Sequence, residues 1–404
     1  MEGLSLSFRL LCFFPPTFLT TFSTLSSNPV RVLLLSAYEA ASHKRWREGL
    51  VRHLSDWTWT VLSLPPRFFS WRIRGNPMTW AFMERETLEQ DYDLLVATSM
   101  TDVAMLRGLV PSISRLPTVV YFHENQFVYP VRKEVNREVL HFCMHNLYNG
   151  LAADRLLFNS HYNRSSYLEG ATDLLRRLPD YVPKNIVSLL SDKSEVVPVP
   201  LEDFFWEKAS SGPEKNEQPF TLVWNHRWEY DKAPERFFRA LQLLREAGVP
   251  FQLHVVGQQF RKQPPCFAEA RETLEEHIVS WGFLPEASDY YNVLMTSDVA
   301  VSAALHEFQG LALLEAAVLG CVPLAPDRLA YQDWVPETYR YPSFPDDAEQ
   351  ESQALFRALH SLYENLGELR QQKPVRLEEY AWSRMQGKYR GVLEKVVVER
   401  SGGC

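Results

Sequence analysis

Cysteine is scarce and scattered in this 404-residue sequence. The five cysteines are Cys12, Cys143, Cys266, Cys321 and Cys404, an odd number with no CxxC pair among them. Neither a disulfide framework nor a structural zinc site is therefore predicted, and a reducing compartment, the cytoplasm, is the expected location.

Two common phosphate-binding signatures are also absent. No GxGxxG follows the first strand predicted in either half of the chain, and no GxxxxGK[ST] loop occurs anywhere. The usual cradles for nicotinamide cofactors and for P-loop ATP hydrolysis are thus missing, which disfavours both chemistries.

The sequence has no apolar run long enough for a membrane span, so no membrane partner is expected. The one segment that could target the chain, "RLLCFFPPTFLTTF", is interrupted by Pro15 and Pro16 and precedes no small-residue cleavage site. We interpret residues 1–29 as a disordered N-terminal extension, with a signal peptide as the alternative.

Positive charge is not in excess: the net charge is −8, and residues 30–205 hold 20 Lys and Arg against 20 Asp and Glu. Generic nucleic-acid binding is therefore not indicated. Local clusters in the first half nevertheless interleave cations with aromatic rings, a pairing that suits phosphates and bases, although solvated faces or domain contacts would give the same pattern. The clusters are "HKRWR", with Lys44, Arg45 and Arg47, and "FFSWRIRGN", with Phe68, Phe69, Trp71, Arg72 and Arg74.

Short, near-continuously apolar runs alternate with helical segments from residue 31 onward, as strands of parallel sheets covered on both faces do. The alternation stops at a polar, Gly- and Pro-containing stretch and then restarts. The predicted fold class is α/β, with two Rossmann-like domains facing each other across a cleft where ligands bind at the strand ends. The predicted boundaries are a first domain over 30–205, a linker over 206–219, a second domain over 220–375, and a C-terminal helix over 376–404 that packs back on the first domain.

Two turns of the second domain carry charged side chains that could bind a phosphorylated ligand. "WNHRWEYDKAPE" places Arg227 and Lys232 just before a helix that begins at Pro234, and cations beside a helix N-terminus suit a diphosphate. "HEFQGLALLE" sets Glu307 in a strand-to-helix turn and Glu315 in the following helix. The alternative is that these residues are solvated surface charges.

The spacing Arg-x4-Lys, followed much later by Glu-x7-Glu, resembles the donor site of retaining GT-B glycosyltransferases. The resemblance implies that Arg227 and Lys232 hold a nucleotide diphosphate, that Glu307 lies by the transferred sugar and that Glu315 binds the ribose. Backbone N–H groups at the helix start and the "WGFLP" segment, beside the nucleobase, would complete the donor site. These further residues are Gln309, Gly310 and Leu311, and Gly282, Phe283 and Leu284.

Motifs of the first domain, taken together with the two turns of the second, narrow the family. "YFHENQ", "LFNS", "HRWEYDK" and "HEFQGLALLE" together resemble the glycosyltransferase-like domain-containing family, whose assigned activity is tRNA-queuosine α-mannosyltransferase, over residues 31 to about 395. The resemblance implies that His123 holds the sugar or the acceptor and that Glu124, Asn125 and Gln126 contact the acceptor. Arg72 and Arg74, from the second cluster of cations and aromatic rings, are the candidates for holding the tRNA loop. One departure is Ala40-Ala41, where the family has two glycines that would let the backbone approach the donor phosphate.

The expected activity is retaining transfer of mannose from GDP-mannose to the cyclopentene-diol of queuosine in a tRNA anticodon loop. Asp91 and Asp93 form an Asp-x-Asp, but they precede a buried strand and are interpreted as strand-start residues. No cofactor and no metal are therefore expected. The alternatives are a GT-B enzyme with a glycan, lipid or small-molecule acceptor and another nucleotide sugar, and a non-catalytic module that binds nucleotide sugars or RNA.

Overall fold

The computed structural model describes residues 29–128, 136–213, 215, 218–372 and 375–401. The extension predicted over 1–29 lies outside this part of the chain apart from residue 29. None of the helices in the described part combines the length and the apolar character that a bilayer crossing requires.

The first half of the chain folds around a six-stranded parallel sheet. Its strands, apolar because helices cover both faces, are β1 Arg31–Ser36, β2 Thr58–Ser63, β3 Leu94–Thr98, β4 Thr118–Phe122, β5 Arg155–Phe158 and β6 Ser194–Val196. Its helices are α1 Ala41–His53, α2 Phe69–Met83, α3 Arg85–Leu88, α4 Val103–Leu109, α5 Asn136–Ala152, α6 His161–Arg177 and α7 Ile186–Asp192.

The second half repeats this architecture. Its strands are β7 Thr221–Trp224, β8 Gln252–Val256, β9 Ile278–Gly282, β10 Val299–Val301, β11 Val322–Pro326 and β12 Arg340–Tyr341. Its helices are α8 Phe204–Ser210, α9 Pro234–Glu246, α10 Cys266–Thr273, α11 Ala287–Thr296, α12 Leu311–Val318, α13 Tyr331–Trp334, α14 Ala348–Glu364, α15 Leu366–Gln371 and α16 Trp382–Ser401.

The strand orders place a topological switch point in each sheet. The first sheet runs β2-β1-β3-β4-β5-β6 and the second β12-β11-β10-β7-β8-β9. The direction of winding reverses between β1 and β3 and between β7 and β10, and ligands of doubly wound folds bind beyond the strand ends at such points. The loops after β7 and β10 carry Lys232 and Glu307, so neighbouring strands bring these residues together.

Each sheet is buried on both faces because successive side chains of a strand point in opposite directions. In β1, Leu33 and Leu35 join one core cluster, whereas Val32 and Leu34 join another. The second cluster also contains Trp382 and other side chains of α16. The last helix of the chain therefore packs on the first domain.

Close packing of α16 on the first domain depends on a glycine in α1. A Cβ atom at Gly49 would lie 2.5 Å from the indole of Trp382, nearer than a real contact allows. The buried Trp46 of the same helix donates to the hydroxyl of Tyr389, 2.9 Å away, in α16. Any larger residue at position 49 would push the two helices apart.

The chain passes between the domains earlier than the predicted linker at 206–219. Val199 packs in the first domain's core, whereas Leu201 and Phe205 pack in the second domain's core. Residues 206–210 continue α8 instead of forming an extended linker. Residues 210–213 are exposed at the end of α8, and solvated helix ends share the polar composition of linkers.

Candidate active site

A cavity of about 680 Å³ lies between the two domains at the carboxyl ends of their strands. From the first domain, residues that follow β1, β3 and β4 line it, and from the second, residues that follow β7, β8 and β10. Its size suits a ligand of several hundred daltons. The predicted site residues that line it are Glu124, His123, Arg227, Lys232, Glu307, Gln309, Leu311 and Glu315.

A partly buried ion cluster, Lys232 with Asp231 and Glu307, forms the floor of the second domain's side of the cavity. The Lys232 ammonium lies 3.1 Å from a carboxylate oxygen of each acid and donates to the carbonyl of His306 at 2.8 Å. We call these three residues the cleft ion cluster. The carbonyl of Asp231 accepts from the amide of Leu305 at 2.8 Å, so the loops after β7 and β10 are held together by backbone as well as by charge.

Backbone geometry at both ends of the cleft ion cluster is unusual. Ala233, directly after Lys232, has φ +46°, a left-handed conformation that costs an alanine on the order of 1 kcal/mol. Gly310 has φ +82°, and a Cβ atom there would lie 2.8 Å from the ring of Tyr331. The loop that carries Glu307 therefore turns sharply into α12, and only glycine fits that turn without strain.

The cleft ion cluster fixes the charge of Glu307 and of two histidines beside it. Burial opposes ionisation of Glu307, but Lys232 and the neighbouring hydrogen bonds outweigh it and lower the pKa of Glu307 to about 2. Burial and then the Lys232 charge lower the pKa of His226 and of His306 to about 4. At neutral pH the cavity floor therefore holds an ionised lysine and an ionised glutamate beside two neutral imidazoles.

Arg227 lies higher on the same wall. Its guanidinium is 2.9 Å from the carboxylate of Glu229, and its side chain is 49% exposed. Its charge also acts on Tyr38 of the first domain. Burial raises the pKa of Tyr38, and the positive charge of Arg227 opposes this rise. Arg227 thus faces the opening between the domains, whereas Lys232 lies at the bottom.

The first domain contributes a stack of rings to the opposite wall. His43 stacks on His123 with ring centroids 4.0 Å apart, and Trp46 meets His123 edge-on at 5.0 Å. Burial, followed by the His43 neighbour, holds the pKa of His123 well below its usual range, so this imidazole is neutral. His123 Nε2 has no hydrogen-bond partner in the described structure, which leaves one polar ring atom for a ligand.

Glu124 is anchored by His43, a residue that the sequence indicated only as part of a motif. The two side chains meet at 3.1 Å between His43 Nε2 and Glu124 Oε2. The other carboxylate oxygen, Oε1, is buried and has no partner among the described residues. His43 therefore orients the Glu124 carboxylate toward the cavity.

Asn125 and Gln126 are not among the residues that line the cavity, and their assignment to acceptor binding stays a prediction. The Asn125 amide is fully buried and donates to Asn163 and Ser166 of α6, at 3.0 and 2.9 Å to their side-chain oxygens. Gln126 is 4% exposed, and its backbone N–H donates to the buried Asn146. Both residues shape the loop that presents His123 and Glu124, a role that sequence motifs do not separate from ligand contact.

Glu315 reaches the cavity from α12, and both of its oxygens have partners. The Tyr290 hydroxyl donates to Oε2 at 2.9 Å, and the Asn225 amide donates to the same hydroxyl at 3.0 Å. Arg45 of the first domain contacts the other oxygen across the cleft. Tyr290 and Asn225 were not identified in the sequence, because only the fold places their helix and strand beside α12.

The side chain of Gln309 lies against the interdomain connection. Its amide donates to the carbonyl of Val199 at 2.8 Å, and its side-chain oxygen accepts from the Val199 N–H at 2.9 Å. Its own carbonyl accepts from the Trp334 indole at 2.9 Å. The loop that carries Glu307 is thus tied directly to the segment where the chain changes domain.

The remaining predicted residues lie outside the cavity lining. Gly282 is the last residue of β9, the edge strand of the second sheet, and Phe283 and Leu284 follow it; Phe283 is 62% exposed. Arg72 and Arg74 lie on α2, where Arg72 donates to the carbonyl of Pro65 at 3.3 Å and Arg74 lies 5.4 Å from the centroid of the Phe142 ring. Pro66 and Phe69, beside them in the chain, do line the cavity.

Carboxylates of the described residues do not converge on a metal position. No group of three or more His, Cys, Asp or Glu side chains in that part of the chain has the arrangement that a metal ion needs. Asp91 and Asp93 both pair with Arg31 at the start of β1. The Arg31 guanidinium lies 3.7 Å from the carboxylate of Asp91 and 3.4 Å from that of Asp93. Their role as strand-start ion pairs explains their spacing.

Comparison with known proteins gives consistent matches over both domains. Residues 31–201 match the family described as tRNA-queuosine alpha-mannosyltransferase N-terminal, and residues 206–374 match glycosyl transferases group 1. The tRNA-queuosine alpha-mannosyltransferase of Drosophila melanogaster is 33% identical over 325 residues, which are 78% of this chain and 85% of that protein.

Solved structures match the fold over nearly the whole chain. A glycosyltransferase from Rickettsia africae gives a TM-score of 0.63 at 15% identity, covering 92% of this chain and 99% of that one. A UDP-forming trehalose-phosphate synthase from Burkholderia xenovorans gives 0.62 at 13% identity, covering 91% and 99%. The predicted α/β class and the GT-B arrangement of two facing Rossmann-like domains are confirmed.

Proposed function

The chain belongs to the tRNA-queuosine α-mannosyltransferase family, and from that premise we propose that it moves mannose from GDP-mannose to the cyclopentene-diol of queuosine in a tRNA anticodon loop. It is a glycosyltransferase, as its sequence motifs predict. The proposal concerns the donor, the acceptor atoms and the residues that act on them.

The observation that carries the proposal is the Lys232 ammonium at the cavity floor, opposite the His123 ring. Transfer of a hexose from a nucleotide diphosphate requires an anionic leaving group to depart from an oxocarbenium-like sugar, so preorganised positive charge is the largest expected catalytic contribution. Lys232 and Arg227 supply that charge from two depths of one wall.

Retention is proposed to follow from attack on the same face from which the diphosphate leaves. In this route the leaving phosphate oxygen accepts the proton of the attacking hydroxyl, while the bond from the anomeric carbon to the phosphate breaks and the new glycosidic bond forms. Glu307, ionised because its pKa is about 2, accepts hydrogen bonds from sugar hydroxyls instead of donating a proton. Neutral His123 holds the sugar or the acceptor through its unpartnered Nε2.

The acceptor tRNA is proposed to contact α2, whose residues extend outward from the cavity mouth. Residues 57–83 contain no Asp or Glu and three arginines, Arg67, Arg72 and Arg74. Large apolar side chains on the same helix are exposed, with Trp71 at 48% and Phe82 at 76%. Cations that neutralise phosphates beside rings on which bases can stack are the usual means of holding a single-stranded RNA loop.

Incubation with GDP-mannose and queuosine-containing tRNA, followed by mass analysis of the nucleosides, tests the proposal. The expected product is queuosine heavier by one hexose, and the same tRNA without queuosine is the control. Transfer to a glycan or lipid but not to tRNA would instead support the alternative GT-B activity, and binding without turnover would support a non-catalytic module.

The acceptor surface is tested by reversing Arg72 and Arg74 to Glu. We expect weaker tRNA binding and slower mannosylation with unchanged GDP-mannose affinity, and wild-type tRNA affinity should fall with added salt. Equal weakening of both substrates would mean that these arginines support the fold. Unchanged tRNA binding would place the RNA elsewhere.

A cytoplasmic location fits this proposal. Cys143, Cys266 and Cys321 are free in the described part of the chain, as expected for a protein of a reducing compartment. Fractionation of cells that express the tagged chain would test the assignment.

A further inference from the structure

Arg45 connects the two domains across the cavity. It lies in the second turn of α1, in the first domain, and its guanidinium contacts the carboxylate of Glu315, in α12 of the second domain. The Glu315 side chain is 5% exposed, whereas that of Arg45 is 44% exposed. The glutamate is thus buried in its own domain, and the arginine is the more exposed member of the pair.

Glu315 keeps its orientation without Arg45. The Tyr290 hydroxyl holds one of its oxygens, and Asn225 holds that hydroxyl in turn. Burial, followed by the Glu315 charge, raises the pKa of Tyr290 well above its usual value, so Tyr290 remains a hydrogen-bond donor. The oxygen that faces Arg45 can therefore accept from another donor if the arginine moves away.

The charge balance of the cavity shows why such a move would be needed. Its lining holds three cations and five carboxylates, the cations being Arg45, Arg227 and Lys232, and the carboxylates Glu124, Glu229, Asp231, Glu307 and Glu315. Lys232 is already compensated by two carboxylates and Arg227 by one. A diphosphate brings further negative charge into this cavity and therefore needs a cation whose present partner can be satisfied in another way.

We propose that Arg45 binds the donor diphosphate, as the first domain's contribution to that site, and that it exchanges partners when the donor enters. Ribose hydroxyls donate to Glu315 in its place, and the released guanidinium donates to diphosphate oxygens. Each charged group stays hydrogen-bonded throughout, which avoids the cost of an unpaired buried charge. The inference rests on the proposed function in taking a nucleoside diphosphate sugar as the donor.

The position of α1 supports this assignment. Ala41 and Ser42, at its N-terminus, line the same cavity, and α1 has no side-chain cap there. The positive end of the helix and the Arg45 guanidinium therefore face one region. Since Arg45 comes from the domain opposite to Arg227 and Lys232, a diphosphate held by all three would join the two domains.

The test compares a nucleoside with its own diphosphate. Calorimetric titrations of guanosine and GDP, and of uridine and UDP, are made with the wild type, Arg45→Met and Arg45→Lys, with Lys44→Met as the control. Lys44 is the neighbouring exposed cation, pairs with Glu48 and does not line the cavity. For the base that binds, we expect Arg45→Met to weaken the diphosphate roughly tenfold or more while the nucleoside binds equally or more tightly. Arg45→Lys should recover part of the loss.

Two outcomes would overturn the proposal. Equal weakening of nucleoside and diphosphate would mean that Arg45 only holds the domains together, and unchanged diphosphate affinity would mean that it does not bind the phosphates. A preference for UDP over GDP would refute GDP-mannose as the donor without affecting the conclusion about Arg45, because each base is compared with its own nucleoside. Melting temperatures of all variants separate these effects from unfolding.

Discussion

The second domain contains two three-residue ion clusters with opposite charge balance and different surroundings: one has a cation between two carboxylates, the other a carboxylate between two cations. The cleft ion cluster, Lys232 with Asp231 and Glu307, lines the cavity. A second cluster, which we call the rear ion cluster, joins Glu351 of α14 to Arg236 and Arg328. Each cluster has a buried centre, Lys232 in the first and Glu351 in the second, so the burial of a charged group alone does not distinguish a functional site from a structural one.

The difference lies in what the charged groups bond to. In the rear ion cluster, Arg328 donates to both oxygens of Glu351 at 2.5 and 2.7 Å and to the carbonyls of Ala303 and Ala304. Arg236 donates to the carbonyl of Pro345 at 2.6 Å. These partners are fixed parts of the protein. The cleft ion cluster instead borders an open volume, so its members can exchange a protein partner for a ligand.

The rear ion cluster should therefore give the largest effect on stability. Glu351→Gln removes the buried carboxylate that Arg236 and Arg328 share, which should lower the free energy of unfolding by about 3–5 kcal/mol. Urea denaturation measures this. Glu349→Gln, on the exposed side of the same helix, is the matched control and should change stability by about 0.5 kcal/mol or less. A loss of stability no greater than the control's would remove the distinction between the clusters.

The cleft ion cluster should give a large effect on turnover instead. Lys232→Met removes a preorganised charge at the leaving diphosphate and should lower kcat by about 10²–10³-fold. Steady-state mannosylation of queuosine-containing tRNA measures it, with the exposed Lys395→Met as the control. A variant within threefold of the wild type would show that the cluster is structural, like its counterpart.

Lowering the pH should reduce the free energy of unfolding through the ionisable side chains that line the cleft. His226 and His306 have folded pKa values of about 4 against 6.5 for the free side chain, so the unfolded chain binds more protons between these values. The stability that depends on these two neutral imidazoles is fully present above pH 6.5 and is lost as the pH falls toward 4. Glu307, at about 2 against 4.5, adds a loss below pH 4.5.

Denaturant titrations from pH 8 to pH 4 measure this dependence. His306→Asn should flatten the slope between pH 6.5 and 4, whereas His360→Asn, at a more exposed position on α14, should leave it unchanged. Equal slopes in the wild type and both variants would contradict the assigned imidazole pKa values.

Chelation should have the smallest effect. If Lys232, Arg227, Arg45 and helix N-termini neutralise the diphosphate, as we propose, excess EDTA should leave mannosylation nearly unchanged. The assay is repeated with added magnesium and with added manganese. A loss of activity that either ion restores would mean that a metal shares the work assigned to the cleft ion cluster.

Local patterns in the sequence predicted a large part of this architecture. Near-continuous apolar runs such as "RVLLLSA" predicted buried parallel strands, because a strand covered on both faces needs no polar side. Pro234 marked the start of α9, and the turn before α12 placed Glu307 at a strand end. Several motifs that carry the family resemblance lie in turns that follow strands. Few residue types fit the backbone of such turns.

Tertiary structure alone decided which polar side chains face the cavity. Glu124 and Asn125 are adjacent in one motif. Glu124 lines the cavity, whereas the Asn125 amide donates to Asn163 and Ser166 of α6. Arg45 sits in a basic cluster that suggested RNA, but α1 directs it to Glu315, 270 residues away. A side chain's partner depends on which strand ends lie side by side, and strand order is a long-range property that no local pattern of residues contains.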